Sequence, residues 1–271
     1  MPLFHLFLVA VLQGLTEFLP VSSSGHLILL PNLTGLDDQG QAIDVAVHVG
    51  TLGAVILYFW KDVRIAVAGI PKLLRWQIDD QGSWLALCLA IATVPVIVFG
   101  VILKLTGLDD AMRSVEVIGW TMLIFGLVLY WTDQKGPVEK DGSHWSLKDA
   151  AIMGLWQALA LIPGTSRSGI TISAGRFLGY DRHGAARLAM LMSIPTILAS
   201  GVVLGAEVAL TANATAARDA AIAAAFAFVA ALLALVFMMR LLRSVSFTPY
   251  VIYRVILGVV LLWIAYRPDG V

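Results

Sequence analysis

Six stretches of the chain, roughly 43–60, 84–105, 115–132, 186–208, 218–240 and 249–266, are each apolar over a length that can cross a bilayer, and this restricts the fold more than any other feature. A spanning helix needs about 20 mostly apolar residues. Inside hydrocarbon every backbone N–H and C=O must be satisfied by the element itself, which leaves helices or closed barrels. Runs this long and this continuously apolar read as helices. Trp60, Trp84, Trp131, Tyr250 and Trp263 stand near their ends, as interfacial anchors do. The composition agrees, with 59% hydrophobic and 13% charged residues where a soluble domain carries about 25% charged. Eighteen basic and 18 acidic residues balance, so there is no electrostatic footprint for nucleic acid. The single cysteine, Cys88, lies in an apolar run. It excludes a disulfide framework and a cysteine metal site, and reads as a small core hydrophobe. No Lys or Arg precedes Lys61, so the first segment lacks the basic start of a cleaved signal peptide.

Two further apolar regions are broken in the middle. Residues 3–35 are interrupted by Thr16-Glu17-Phe18-Leu19-Pro20-Val21-Ser22-Ser23-Ser24-Gly25-His26, and residues 149–181 by Pro163-Gly164-Thr165-Ser166-Arg167-Ser168-Gly169. Each break holds a helix stop followed by hydroxyl residues that start a new helix. The halves are too short to span, so both regions read as re-entrant helix–loop–helix hairpins. Non-helical backbone at that depth is tolerated only against protein or a wet cavity.

Basic residues set the orientation. Lys61, Arg64, Lys72 and Arg75 in loop 61–83, Lys135, Lys140 and Lys148 around loop 133–148, Arg182 and Arg187, and Arg240 and Arg243 mark the cytoplasmic side. The segments 36–42, 106–114 and 209–217, poor in Lys and Arg, face outward, and Asp37, Asp38, Asp109 and Asp110 there read as solvated charges. Both termini then lie outside, the first hairpin enters from outside and the second from the cytoplasm. Val21-Ser22-Ser23-Ser24-Gly25-His26 also aligns without gaps to Thr165-Ser166-Arg167-Ser168-Gly169-Ile170. Each hairpin precedes three spans. The expected fold is an all-α polytopic membrane protein, with six transmembrane helices plus two re-entrant hairpins in an inverted-topology repeat. A single membrane domain covers 1–271, with repeats 1–132 and 149–271 joined by a cytoplasmic linker 133–148. The Ala-rich run 220–234 reads as helix packing through small residues.

Ionisable groups within a membrane are costly, and default to functional hypotheses. Here they collect at the breaks. Gln13 and Glu17, four apart, share a helix face. Ser22, Ser23 and Ser24 sit where a half-helix begins, and its free N–H groups and dipole favour an anion. Ser23 and His26, three apart, meet on one face and form a nucleophile–base pair. Ser166, Arg167 and Ser168 repeat the arrangement with a guanidinium, a bidentate donor to phosphate. A carboxylate beside a phosphate implies a divalent cation or a proton carrier. His48, within a span, reads first as packing against a hairpin. His5, His144 and His183 carry no assigned chemistry.

Gln13-Gly14-Leu15-Thr16-Glu17-Phe18-Leu19-Pro20-Val21-Ser22-Ser23-Ser24-Gly25-His26 and Pro163-Gly164-Thr165-Ser166-Arg167-Ser168-Gly169-Ile170-Thr171 closely resemble the two signature motifs of the undecaprenyl-diphosphate phosphatase, or bacitracin-resistance, family. The resemblance covers essentially the whole chain. It implies hydrolysis of undecaprenyl diphosphate to the monophosphate and inorganic phosphate in the bacterial inner membrane. That reaction recycles the lipid carrier of peptidoglycan synthesis and is associated with bacitracin resistance. It also implies a site open to the outer face and a divalent cation, Mg2+ or Ca2+. The family's essential residues fall on Glu17, Ser23, His26 and Arg167. Some members carry Glu where this chain has Gln13, so the cation has one carboxylate fewer here.

The resulting expectation is an in-line attack by Ser23, activated by His26, with Arg167 and two helix N-termini stabilising charge. Water as nucleophile, with Ser23 a phosphate ligand, is the alternative. Glu17 and Gln13 hold the cation or orient His26. Ser22, Ser24, Gly25, Gly164, Thr165, Ser166, Ser168 and Gly169 line the phosphate. A phosphohistidine mechanism is disfavoured, because Ser173 stands where that phosphatase class has its histidine. The rival class is a lipid or small-molecule transporter or flippase with an anion site at the repeat interface. The partners are a polyprenyl diphosphate lipid and the membrane. A homodimer is compatible with the sequence.

Overall fold

A computed structural model describes residues 2–35, 39–209 and 214–267. The chain is helical from end to end, and the described residues form no strand beyond an isolated bridge between Lys140 and Tyr180. In order, the helices are α1 (Leu3–Phe18), α2 (Ser23–Thr34), α3 (Gly40–Tyr58), α4 (Trp60–Leu73), α5 (Gln81–Thr106), α6 (Leu108–Ala111), α7 (Val115–Lys135), α8 (Leu147–Ala158), α9 (Arg167–Phe177), α10 (Arg182–Ala209), α11 (Ala214–Leu241) and α12 (Thr248–Ala265). A 3-10 turn, Leu159–Leu161, follows α8.

Six of them are long and apolar enough to cross a membrane: Gly40–Tyr58, Gln81–Thr106, Val115–Lys135, Arg182–Val202, Ala216–Leu241 and Thr248–Ala265. These fall on the six stretches expected from sequence. On α5, Val94, Ile97, Val98, Phe99, Val101 and Ile102 are all exposed. An apolar helix turned outward on this scale has lipid, not water, as its solvent.

Local chemistry sets the helix starts. Asp80 caps α5 through a reciprocal capping box with Ser83, Ser114 caps α7 by accepting from the Val117 N–H, and Ser146 caps α8 by accepting from the Asp149 N–H. Lys72 and the Ser83 amide hold the Asp80 carboxyl below the usual carboxylate range.

The expected loop 61–83 is corrected: most of it is α4. Its apolar residues recur every three to four positions, Val63, Ala66, Val67 and Ile70, so it is amphipathic. Gly69 faces Gly82 on α5 so closely that a Cβ there would overlap the Gly82 carbonyl.

Small residues bring helices together elsewhere too. A Cβ on Gly14 of α1 would lie 2.6 Å from Ala230 Cβ and 2.7 Å from the Ala227 carbonyl. On Gly50 of α3 it would overlap the Ala224 carbonyl. The Ala-rich part of α11 is therefore a packing surface for α1 and α3, as read from the sequence.

The central core joins Phe18, Val21, Leu129, Ile172, Leu235, Met238 and Phe247. A second cluster surrounds Cys88, which is fully buried with Met153, Trp145 and Tyr180. Asp37 and Asp38 lie outside the described residues, as does part of segment 209–217.

Candidate active site

The two sequence breaks come together in the folded chain. Each is a short break between two helices, α1 and α2 in one case, α8 with its 3-10 turn and α9 in the other. Their backbones match. Ser22 and Ser166, paired in the sequence alignment, both have positive φ, 72° and 69°, which non-glycine residues seldom adopt. Each hydroxyl then reaches forward to the new helix. Gly25 N–H donates to Ser22 Oγ (3.4 Å), and Gly169 N–H to Ser166 Oγ (3.1 Å). Each also bonds the serine two residues on, Ser24 at 3.3 Å and Ser168 at 3.1 Å. Strain of this kind costs about 1–3 kcal/mol per residue and is held where surrounding structure fixes it. It aims the starts of α2 and α9, with their unsatisfied N–H groups, into one region.

Glu17 is the hub of that region. Its Oε1 accepts from Arg167 Nη2 at 2.5 Å. Its Oε2 accepts from Ser23 Oγ at 2.7 Å and from Gln13 Nε2 at 2.8 Å. His48 Nε2 lies 3.9 Å from the same oxygen. Arg167 Nη1 also donates to the Ser193 carbonyl at 3.4 Å. Glu17 is buried and the Arg167 side chain is largely so, which makes them a mostly desolvated ion pair whose carboxylate accepts hydrogen bonds on both oxygens.

Two adjoining cavities open from this cluster. The inner, about 180 Å3, is lined by Glu17, Ser22, Ser23, Ser24, His48, Ser166 and Arg167 among others. The outer, about 450 Å3, has Gln13, Ser23, Ser24, His48, Gln39, Asp44 and Arg113 on its wall. Ser23, Ser24, His48 and Ser200 border both.

His26 departs from the expected arrangement. Its Nδ1 bonds the Ser22 carbonyl at 2.6 Å and its Nε2 the Tyr253 hydroxyl at 2.5 Å, with the two rings stacked at 5.6 Å. Ser23 takes Glu17 as its partner instead. The i,i+3 spacing brought Ser23 and His26 to neighbouring positions, but the positive-φ turn at Ser22 offers its carbonyl to the ring first.

The other motif residues divide between wall and support. Ser22, Ser24 and Ser166 face the inner cavity. Gly25, Gly164, Thr165, Ser168 and Gly169 are outside both linings and make protein contacts. Ser168 Oγ donates to the Leu19 carbonyl at 2.9 Å, tying one break to the other. The Gly164 and Thr165 carbonyls accept from Arg254 at 3.1 and 2.9 Å. Gly164, at φ +84°, leaves room for Thr121, whose hydroxyl donates to the Pro163 carbonyl at 2.6 Å.

Sequence reasoning passed over Tyr253 and Arg254. Arg254 had a signal, an ionisable residue within the stretch 249–266. Tyr253 had none, because its partner lies 227 residues away. His48, read as packing, stands on the walls of both cavities.

Comparison with known proteins bears on this geometry. A family model described as bacitracin resistance protein BacA matches residues 6–260. A protein of Jannaschia sp. (strain CCS1) named undecaprenyl-diphosphatase is 72% identical over 98% of this chain and 100% of its own length. One of the same name from Dinoroseobacter shibae is 71% identical over the same shares. The undecaprenyl-diphosphatase of Aliivibrio salmonicida is 42% identical over 98% of this chain and 99% of its own. Both motifs lie within the matched residues, and the chain belongs to the bacitracin resistance protein BacA family.

Proposed function

We propose that the chain is an undecaprenyl-diphosphate phosphatase, releasing inorganic phosphate and leaving the lipid monophosphate for reuse in cell-wall synthesis. Its relatives at 72% and 71% identity bear the name undecaprenyl-diphosphatase. The observation that carries the chemistry is the contact of Ser23 Oγ with Glu17 Oε2 at 2.7 Å, beside Arg167. A hydroxyl, a carboxylate that can take its proton and a guanidinium at two helix starts form a phosphoryl-transfer site. A carrier would need the anion-binding groups alone.

In the proposed mechanism the terminal phosphate enters the inner cavity. Ser23 Oγ attacks phosphorus, its proton passes to Glu17, and the P–O bond to the lipid monophosphate breaks. Arg167 and the N–H groups opening α2 and α9 bind the equatorial oxygens as charge moves onto them. Glu17 passes the Ser23 proton to the departing lipid monophosphate, and the regenerated carboxylate deprotonates the water that attacks the phosphoserine. The P–Oγ bond breaks, inorganic phosphate leaves, and Glu17 returns the water's proton to Ser23 Oγ. His26 acts through the Ser22 loop, holding the turn that aims Ser23.

A divalent cation fits this donor set in one way. Both Glu17 oxygens are taken by Arg167, Ser23 and Gln13. Among the described residues there is no cluster of three His, Cys, Asp or Glu. Gln13 Oε1, however, is buried without a partner, and Gln13 lines the outer cavity. It would hold a Mg2+ or Ca2+ whose other ligands are water and substrate oxygens. When bound, the cation neutralises diphosphate charge.

Packing supports the inverted repeat and the two re-entrant hairpins. Helix α1 packs on α11 while α8 packs on α5, and α3 meets α10 as α7 meets α12. A two-fold operation exchanging the halves maps each pair onto the other or onto itself. Gln39 and Arg113 on the outer cavity belong to segments poor in basic residues. This supports a site opening to the outer face of the inner membrane.

The test is phosphate release by detergent-purified protein given a prenyl diphosphate and Mg2+. Detergent removes every gradient, so turnover there supports the enzyme, and binding without release would favour a carrier.

A further inference from the structure

Arg254 is the bulkiest of the fully buried side chains, and neither cavity is lined by it. It has no ion-pair partner among the described residues. Its compensation is a set of five carbonyls. Nε donates to Met122 O at 3.2 Å, Nη1 to Pro20 O at 3.4 Å, and Nη2 to Thr121 O at 3.4 Å, Gly164 O at 3.1 Å and Thr165 O at 2.9 Å. Pro20 belongs to the first break, Gly164 and Thr165 to the second. Broken helices leave such carbonyls without intrahelical donors. A guanidinium carries five N–H groups in a rigid fork and can serve both breaks at once, whereas an ammonium is a single point.

Two glycines make room for it. A Cβ on Gly169, in the first turn of α9, would lie 2.9 Å from Arg254 Nη1. A Cβ on Gly126, on α7, would lie 3.2 Å from Arg254 Cβ. The preceding residue, Tyr253, holds His26 of the first hairpin. One turn of α12 therefore grips both breaks.

We propose that Arg254 is a positioning residue: it clamps the Pro20 and Gly164 breaks together so that Ser23 and Arg167 keep their register on the same phosphate. The role rests on reading those breaks as the phosphate site. A misplacement of about 1 Å far from the chemistry costs about 100-fold in rate. Substrate binding, through the tail and the cavity walls, remains.

The experiment compares Arg254→Lys, Gly126→Ala and Arg167→Ala for phosphate release in detergent, with thermal melting of each sample. Arg254→Lys lowers kcat by about 100-fold while KM moves by less than about threefold, the signature of an interaction made in the transition state. Gly126→Ala keeps the guanidinium but displaces it by a few tenths of an ångström, and lowers kcat by about threefold to tenfold with KM unchanged. It decides the matter alone if Arg254→Lys does not fold. Wild-type kcat in a folded Gly126→Ala and Arg254→Lys, beside an inactive Arg167→Ala, overturns the clamp and leaves the site reading intact. Turnover in Arg167→Ala overturns the site reading and the clamp with it. A kcat loss that follows a fall in melting temperature, and returns when the assay is cooled, marks a structural role only and also overturns the clamp.

Discussion

Ser23 donates its proton toward a carboxylate, and that single contact changes the division of labour at the site. With Glu17 as the base, Glu17→Gln lowers kcat by about 1000-fold or more. His26→Ala loosens the Ser22 turn and is the milder variant, down by about tenfold to 100-fold. Steady-state phosphate release on the two proteins checks the order. Gln13 gives a separate readout. Gln13→Ala raises the Mg2+ concentration for half-maximal activity by about tenfold, with little change at saturation, as a cation titration shows. The motif residues were legible because charge and hydroxyls in an apolar run have few structural reasons to exist. Their pairing was not. Whether Ser23 meets His26 or Glu17 depends on a positive φ at Ser22, which spacing cannot report. Arg254 was legible by the same rule as Glu17 and was overlooked within a long span.

At the scale of elements, the six long helices were legible because length and apolarity suffice to define them. Helix α4 was not. It is short, basic and carries Pro71, so it resembled a loop, and only its 3.6-residue apolar period gave it away. Joints between elements were hidden for another reason, since they depend on residues far apart in sequence. Asp133, at the end of α7, accepts from Arg176 Nε at 3.3 Å, Arg182 Nε at 2.7 Å and the Phe247 amide at 3.2 Å. It joins α7, α9, the start of α10 and the turn before α12, and is 2% exposed. In the sequence Arg182 marks the cytoplasmic side, yet its partner in this joint, Arg176, is buried at 3%. Asp133→Ala strands a buried guanidinium and costs about 3–5 kcal/mol, measured by thermal or denaturant unfolding in detergent. Activity per folded molecule is unchanged.

At the scale of the whole molecule, the two halves are also tied together away from the site. Asp62 of α4 pairs with Arg187 of α10, and Arg187 Nη1 donates to the Gly142 carbonyl at 2.9 Å, joining the two halves at the basic end. The native thiol, Cys88, is fully buried, which keeps it out of reach of an aqueous labelling reagent in the folded protein. A membrane-impermeant maleimide therefore reads topology cleanly: Thr106→Cys labels from outside intact cells, and Ser143→Cys only after the inner face is exposed. The reverse pattern would invert the orientation drawn from the basic residues. Ser23 and Arg167, one from each half, are assigned to one phosphate, and phosphate release from undecaprenyl diphosphate by purified, folded Arg167→Ala decides whether they share it. The expected kcat is at least about 1000-fold below wild type; wild-type turnover in that variant would separate the two residues.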